Sequence, residues 1–197
     1  MLRVFATRDL VHAAIIIIAF APSGCDARQF GARGSGTKKP KPADPNVITP
    51  TVVDASHNIA GYTKECAADG NDETYWLVPG GQRMEMMSHD KWLVLDLGAV
   101  RSVSAINLLG IVDSFGAARM RLDVGESPNG PWRPARHFRA LGTPLSWQRV
   151  ELAGGGQAAP CARFYRLFVR REGHANFRHR IMGLTLTCEA EEGGVTP

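Results

Sequence analysis

The sequence predicts an antiparallel all-β sandwich, and three observations carry that prediction. From Thr51 onward short β-rich runs recur between turn signals, and no window sustains a helical period. Met120, Leu122 and Val124 alternate with Arg119, Arg121 and Asp123. Alternation with period two sends one set of side chains into a core and the other into water.

Ahead of the sandwich, residues 1–25 have the form of a bacterial export signal. Arg3 and Arg8 make a basic start, residues 11–21 (VHAAIIIIAFA) an apolar stretch, and Pro22, Ser23, Gly24 and Cys25 a small-residue exit. The stretch is shorter than the roughly 20 residues of a membrane helix, so it reads as a leader. Ser-Gly-Cys after such a run resembles a lipoprotein box. That implies acylation of Cys25 and a bacterial membrane anchor on the periplasmic or cell-surface side, with ordinary secretion as the alternative. Residues 26–50 are rich in Gly, Lys, Pro and Ala and have little to bury, which predicts a flexible tether.

Six runs read as strands: 91–97 (KWLVLDL), 103–109, 119–125, 147–152, 163–170 and 181–188. Ser127-Pro128-Asn129-Gly130 is a turn by chemistry, because Pro presets φ and Asn-Gly tolerates positive φ. The folded part is placed at 51–192, with 193–197 as a tail.

The formal net charge of the 197 residues is +4, but it is not spread evenly. Residues 26–46 hold five bases and two acids, whereas residues 47–197 hold 16 of each. A neutral folded part lacks the basic footprint of general DNA binding, so no nucleic acid is expected as a partner. Within it, residues 97–182 carry 13 bases and five acids, a patch suited to acidic glycans or anionic lipids.

Five segments in order carry a family resemblance. They are Ala68-Asp69-Gly70-Asn71 with Thr74 and Trp76, Trp92 to Gly98 (WLVLDLG), Val103 with Ile106, Ser127 to Trp132 (SPNGPW), and Arg163 to Leu167 (RFYRL). Together they resemble the discoidin domain, also called the coagulation factor type C domain. The resemblance implies a galactose-binding-like jelly-roll of about eight strands. Relatives of that kind include family 32 carbohydrate-binding modules and F-type lectins, which bind and do not catalyse.

Cys188-Glu189 at the end of the last strand run is similar to the Cys-Glu pair of F-type lectins. The resemblance implies a structural Ca²⁺ held by the Asp69 and Glu189 carboxylates, oxygens of Asn71 and Thr74, and the carbonyls of Cys66 and Cys188. Hard Ca²⁺ takes six to eight oxygens, and a glycine in a short acidic loop lets several converge. An Asx turn at Asp69 is the alternative. If both cysteine carbonyls serve one ion, Cys66 and Cys188 form the first-choice disulfide. Cys161 with Cys188 is the second choice, through a hairpin of the last two runs.

The same resemblance puts the ligand on loops at one end of the sandwich, here residues 110–118 and 170–180. Phe177 is suited to stacking on a sugar, and Arg171, His174, Asn176 and Arg178 to bonding hydroxyls or a carboxylate, with Asp113 and Arg119 completing the site. The loop between Trp76 and Trp92, with three methionines, suits protein contact or a flap over the sandwich end. No G-x-S-x-G, H-E-x-x-H or catalytic cysteine context occurs, so no enzyme is expected. The expected function is carbohydrate binding, and the alternative is an assembly subunit that contacts an envelope protein.

Overall fold

A computed structural model of the chain describes residues 46–78, 91–112, 118–170 and 179–190. The leader, Cys25, nearly all of the tether and the methionine loop lie outside the described residues. Nine strands run β1 (Val47–Ile48), β2 (Thr51–Ala55), β3 (Trp76–Val78), β4 (Lys91–Val112) and β5 (Ala118–Gly125), then β6 (Trp132–Ala140), β7 (Gln148–Glu151), β8 (Cys161–Arg170) and β9 (His179–Cys188). Among the described residues one 3-10 turn, Lys64–Ala67, lies between β2 and β3.

Every pairing is antiparallel, and β4 belongs to two layers. Its first half lies between β2 and β8, and β8 continues to β5 and then β6. Its second half lies between β7 and β9, and β9 takes β1 and β3 on its far side. The strand changes layer between Ser102, the last residue paired with β8, and Val103, the first paired with β9, and its register with β8 shifts between Asp96 and Arg101. Gly98 supplies the bend with φ +76°, and its N–H donates to the Asp96 carboxylate at 2.7 Å. Positive φ costs glycine nothing, which is why the bend falls there.

The core fills the space between the layers. Leu93, Leu95, Met120, Leu122, Tyr165, Leu167 and Val169 face Ile106, Leu108, Leu184 and Leu186, with Trp76 among them. The outer face of the second layer is covered by a satellite cluster of Tyr75, Leu109 and Met182, joined by Trp147. A Cβ on Gly183 of β9 would stand 2.6 Å from the Trp147 ring, so only glycine lets that indole lie on the sheet. The five-stranded layer, β2-β4-β8-β5-β6, carries the charged half of the alternation on its outer face.

Several expectations need correction. The runs at 91–97 and 103–109 are one strand, because Gly98 bends the chain without ending its pairing. Strand β6 was not anticipated. It carries Arg133, Arg136, His137 and Arg139 and includes Pro134, which an edge strand tolerates, here opposite a register shift at Asp123. Strand β1 lies inside the stretch read as tether, so the sheet begins before Thr51. The turn at 127–130 forms as expected, with Gly130 N–H donating to the Ser127 carbonyl at 3.1 Å and φ +89° at Gly130.

Neither anticipated disulfide is made. Cys188 and Cys161 are both free thiols, so Cys188 bridges neither Cys66 nor Cys161. Strands β8 and β9 form no hairpin: they pair with opposite halves of β4, at Ser102↔Cys161 and Val103↔Cys188. Burial raises the Cys188 thiol pKa. Cys66 is fully buried in the 3-10 turn.

Candidate functional site

Cross-strand register arranges the outer face of the five-stranded layer in rows. In the first, Arg139 of β6 stands opposite Arg119 of β5, which stands opposite the Arg170 position of β8. In the second, His137 is opposite Arg121, which is opposite Phe168. The third sets Asp123 opposite Arg166. Neighbouring strands are about 4.8 Å apart, so side chains within a row reach one another.

Asp123 organises the lower rows. Its carboxylate is 1% exposed and accepts from Arg121 Nε at 2.7 Å and Nη2 at 3.1 Å, and from Arg166 Nη2 at 2.9 Å. Both guanidiniums then lie over the Phe168 ring, at 4.2 Å for Arg121 and 4.5 Å for Arg166. Arg166 also lies 4.7 Å from the Trp132 ring. Held by a carboxylate and an aromatic face, a guanidinium keeps its plane fixed while its remaining N–H groups stay available.

Above this network lies a cavity of about 560 Å³, within the range of ligand sites. Arg119, Arg121, His137, Arg139, Met120, Phe138 and Phe168 line it. Among these lining residues there are four nitrogen bases and no carboxylate. Phe168 is 9% exposed, and its ring already carries two guanidiniums. The cavity therefore offers nitrogen donors and not an open aromatic platform.

Of the anticipated ligand residues, the structure places Arg119 in this cavity. Asp113, Arg171, His174, Asn176, Phe177 and Arg178 lie outside the described residues. Arg121, His137, Arg139 and Phe168 were not singled out from sequence as site residues. The alternation at 119–123 was the available signal, but the partners across the sheet follow from the β6-β5-β8 order, which no local pattern encodes.

At the turn expected to hold calcium the structure gathers part of the anticipated set. Thr74 Oγ1 lies 2.6 Å from Asp69 Oδ2 and 2.9 Å from the Asn71 carbonyl oxygen, so oxygens of three of these residues converge in one turn. Asn71 N–H donates to Asp69 Oδ1 at 2.8 Å, and Gly70 has φ +77°. Cys66 lies just before this turn. Cys188 and Glu189 end β9, where they line a cleft with Val100, Arg101, Ser102 and Cys161. The described residues contain no group of three His, Cys, Asp or Glu able to hold a metal. The all-oxygen chemistry of the Asp69 turn fits a hard cation, because carbonyl and hydroxyl oxygens supply what extra carboxylates do not.

A second polar chain ties β3 to the sheet. Trp92 N–H donates to Ser56 Oγ at 3.1 Å, Ser56 Oγ lies 2.9 Å from His57 Nδ1, and His57 Nε2 lies 2.7 Å from the Leu77 carbonyl. Only an N–H can face that carbonyl, so His57 carries its proton on Nε2 and Nδ1 accepts from Ser56. Burial, the largest cause, lowers the His57 pKa, and nearby Lys91 acts the same way.

No family model and no curated protein sequence matches the chain. Solved structures do. A family 32 carbohydrate-binding module from a family 31 glycoside hydrolase of Clostridium perfringens has a TM-score of 0.56 at 12% identity, covering 73% of this chain and 96% of that one. A pectin-binding carbohydrate-binding module has a TM-score of 0.54 at 16% identity, covering 73% and 95%. The family 32 module of AlyQ, solved with 4,5-unsaturated mannuronic acid, has 0.51 at 16%, covering 68% and 94%. With β4 shared between two antiparallel layers, the chain has the discoidin-type, galactose-binding-like fold of the family 32 carbohydrate-binding modules.

Proposed function

We propose that this chain is a non-catalytic carbohydrate-binding module that holds its glycan against the open face of the five-stranded layer. The observation that carries the reading is the 560 Å³ cavity on that face, lined by convergent donors of Arg119, Arg121, His137 and Arg139. Glycoside hydrolysis uses a pair of carboxylates flanking the bond, and the described residues that line this cavity include none. Neighbours of the same fold are named for pectin and mannuronate binding, which agrees with a sugar ligand. Native gels containing pectin or galactan test this: a bound polysaccharide retards the protein while no reducing sugar is released. Unretarded migration in every glycan gel contradicts it.

The reading includes a structural Ca²⁺ at the Asp69 turn, held by Asp69, Asn71 and Thr74 and completed by the Cys66 and Cys188 carbonyls and Glu189. An ion bound only by the folded state stabilises that state. The protein should melt higher in calcium than in chelator, and Asp69→Ala should abolish the difference. Equal melting of the parent in both solutions retires the ion.

Export and anchoring complete the proposal: the leader carries the module out of the cytoplasm, and a lipid on Cys25 holds it at a bacterial membrane. Mass spectrometry of the mature N-terminus tests this: an acylated Cys25 supports the anchor, and a free, unmodified N-terminus downstream of Cys25 removes it.

A further inference from the structure

We propose that the sheet-face cavity selects acidic polysaccharides, those built from uronate residues, through its arginine rows. This rests on the reading that the cavity is the glycan site, and it adds the class of sugar.

Three observations point to charge as the selecting feature. The first is register: Arg139, Arg119 and the Arg170 position stand directly opposite one another on three adjacent strands. Arg139 and Arg119 thereby set two guanidinium side chains beside each other along the cavity. The second is the state of the aromatic floor. Neutral sugars are gripped largely by stacking their C–H faces on a ring, but Phe168 is 9% exposed beneath the Arg121 and Arg166 guanidiniums. That ring serves the arginines and not a sugar.

The third is preorganisation. Arg121 spends Nε and one Nη2 hydrogen on Asp123 and has three further N–H groups to offer. A guanidinium fixed in plane matches a planar carboxylate with two parallel bonds, and ordering costs less because Asp123 and Phe168 have already fixed it. Arg119 and Arg139, both exposed at the cavity, flank this fixed group by register.

Two other polyanions, a membrane surface and a nucleic acid, are less well matched. Membrane-surface binding adds apolar side chains to charge, and the one large apolar side chain exposed among the described residues is Val100, at the β4 bend and not in this cavity. Nucleic-acid binding by single strands uses open aromatic platforms, which the covered Phe168 does not provide.

The test compares polygalacturonate with highly methyl-esterified pectin, the same backbone largely without charge, by titration calorimetry on the purified protein. Dextran sulfate and phosphatidylserine vesicles serve as the other arms. We expect polygalacturonate to bind, with affinity falling as salt rises, and the ester to bind at least tenfold more weakly. Arg119→Ala, Arg121→Ala and Arg139→Ala should each weaken polygalacturonate about 10- to 100-fold, the usual effect of removing a charge-assisted bond. Their melting temperatures provide the control for folding. Arg139→Lys should recover part of the loss, since it restores charge without the fork.

Equal binding of ester and acid, unchanged by the arginine variants, overturns the inference and leaves the carbohydrate reading standing. Equal or tighter binding of dextran sulfate or vesicles overturns it in favour of unspecific polyanion attraction. No binding of either pectin or of neutral galactan overturns both.

Discussion

Replacing Trp76 with alanine should lower the free energy of unfolding by about 3–5 kcal/mol, the range for deleting a large buried aromatic. Trp76 is fully buried on the three-residue strand β3 and belongs to the main core. Its Nε1 donates to the His57 carbonyl at 3.3 Å, and the two rings lie 4.9 Å apart. Losing the indole therefore opens a cavity and also frees the carbonyl that tied β3 to the end of β2. The layers on either side are fixed by long strands, so they cannot close over the space. Equilibrium urea denaturation measures the effect as a shifted midpoint at a preserved slope. A loss under about 1 kcal/mol would show that β3 is not held in the core. Trp76→Phe, which keeps much of the apolar surface and loses the N–H, should fall between the two.

The second large effect is expected at Asp123. Removing one member of a buried ion pair typically costs about 3–5 kcal/mol, because the partner is left charged without an acceptor. Here the carboxylate is 1% exposed, but the Arg121 and Arg166 side chains are 31% and 20% exposed and gain water when it is gone. Asp123→Ala should therefore cost somewhat less, about 2–3 kcal/mol. Asp123→Asn, which keeps the shape and one acceptor, should cost less than the alanine. Unfolding at low and high salt is informative: a pair this shielded should keep most of its contribution at 1 M salt. A penalty that vanishes with salt would mean that the arginines are held by surface attraction alone.

These two sites differ in how far the sequence reveals them. Trp76 belongs to the Asp-Gly-Asn…Trp segment that carries the family resemblance, and its burial agrees with the fold that segment implies. The strict alternation from Arg119 to Val124 identifies β5 and its two faces from periodicity alone. What it does not reveal is the neighbour on each side. Strand β6 is hidden because an edge strand needs few apolar residues, so its four basic side chains and Pro134 carry no strand signal. The row Arg139-Arg119-Arg170 exists only once three segments far apart in sequence are in register. For the same reason the site expected on loops 110–118 and 170–180 was drawn from resemblance, whereas the described cavity lies on the sheet. The hairpin expected of the last two runs does not form, because β8 pairs with β4 as far as Ser102 and β9 from Val103 onward, a topology that no local pattern encodes.

The central claim is that a glycan lies on the open face of the five-stranded layer, and amide NMR of the purified protein titrated with oligogalacturonate tests it most directly. The predicted result is a set of saturable shifts centred on residues 119–121, 137–139 and 168, with the amides of the covered face around Leu109, Trp147 and Met182 unmoved. Shifts confined to that covered face, or no shift with any glycan at saturating concentration, would contradict it.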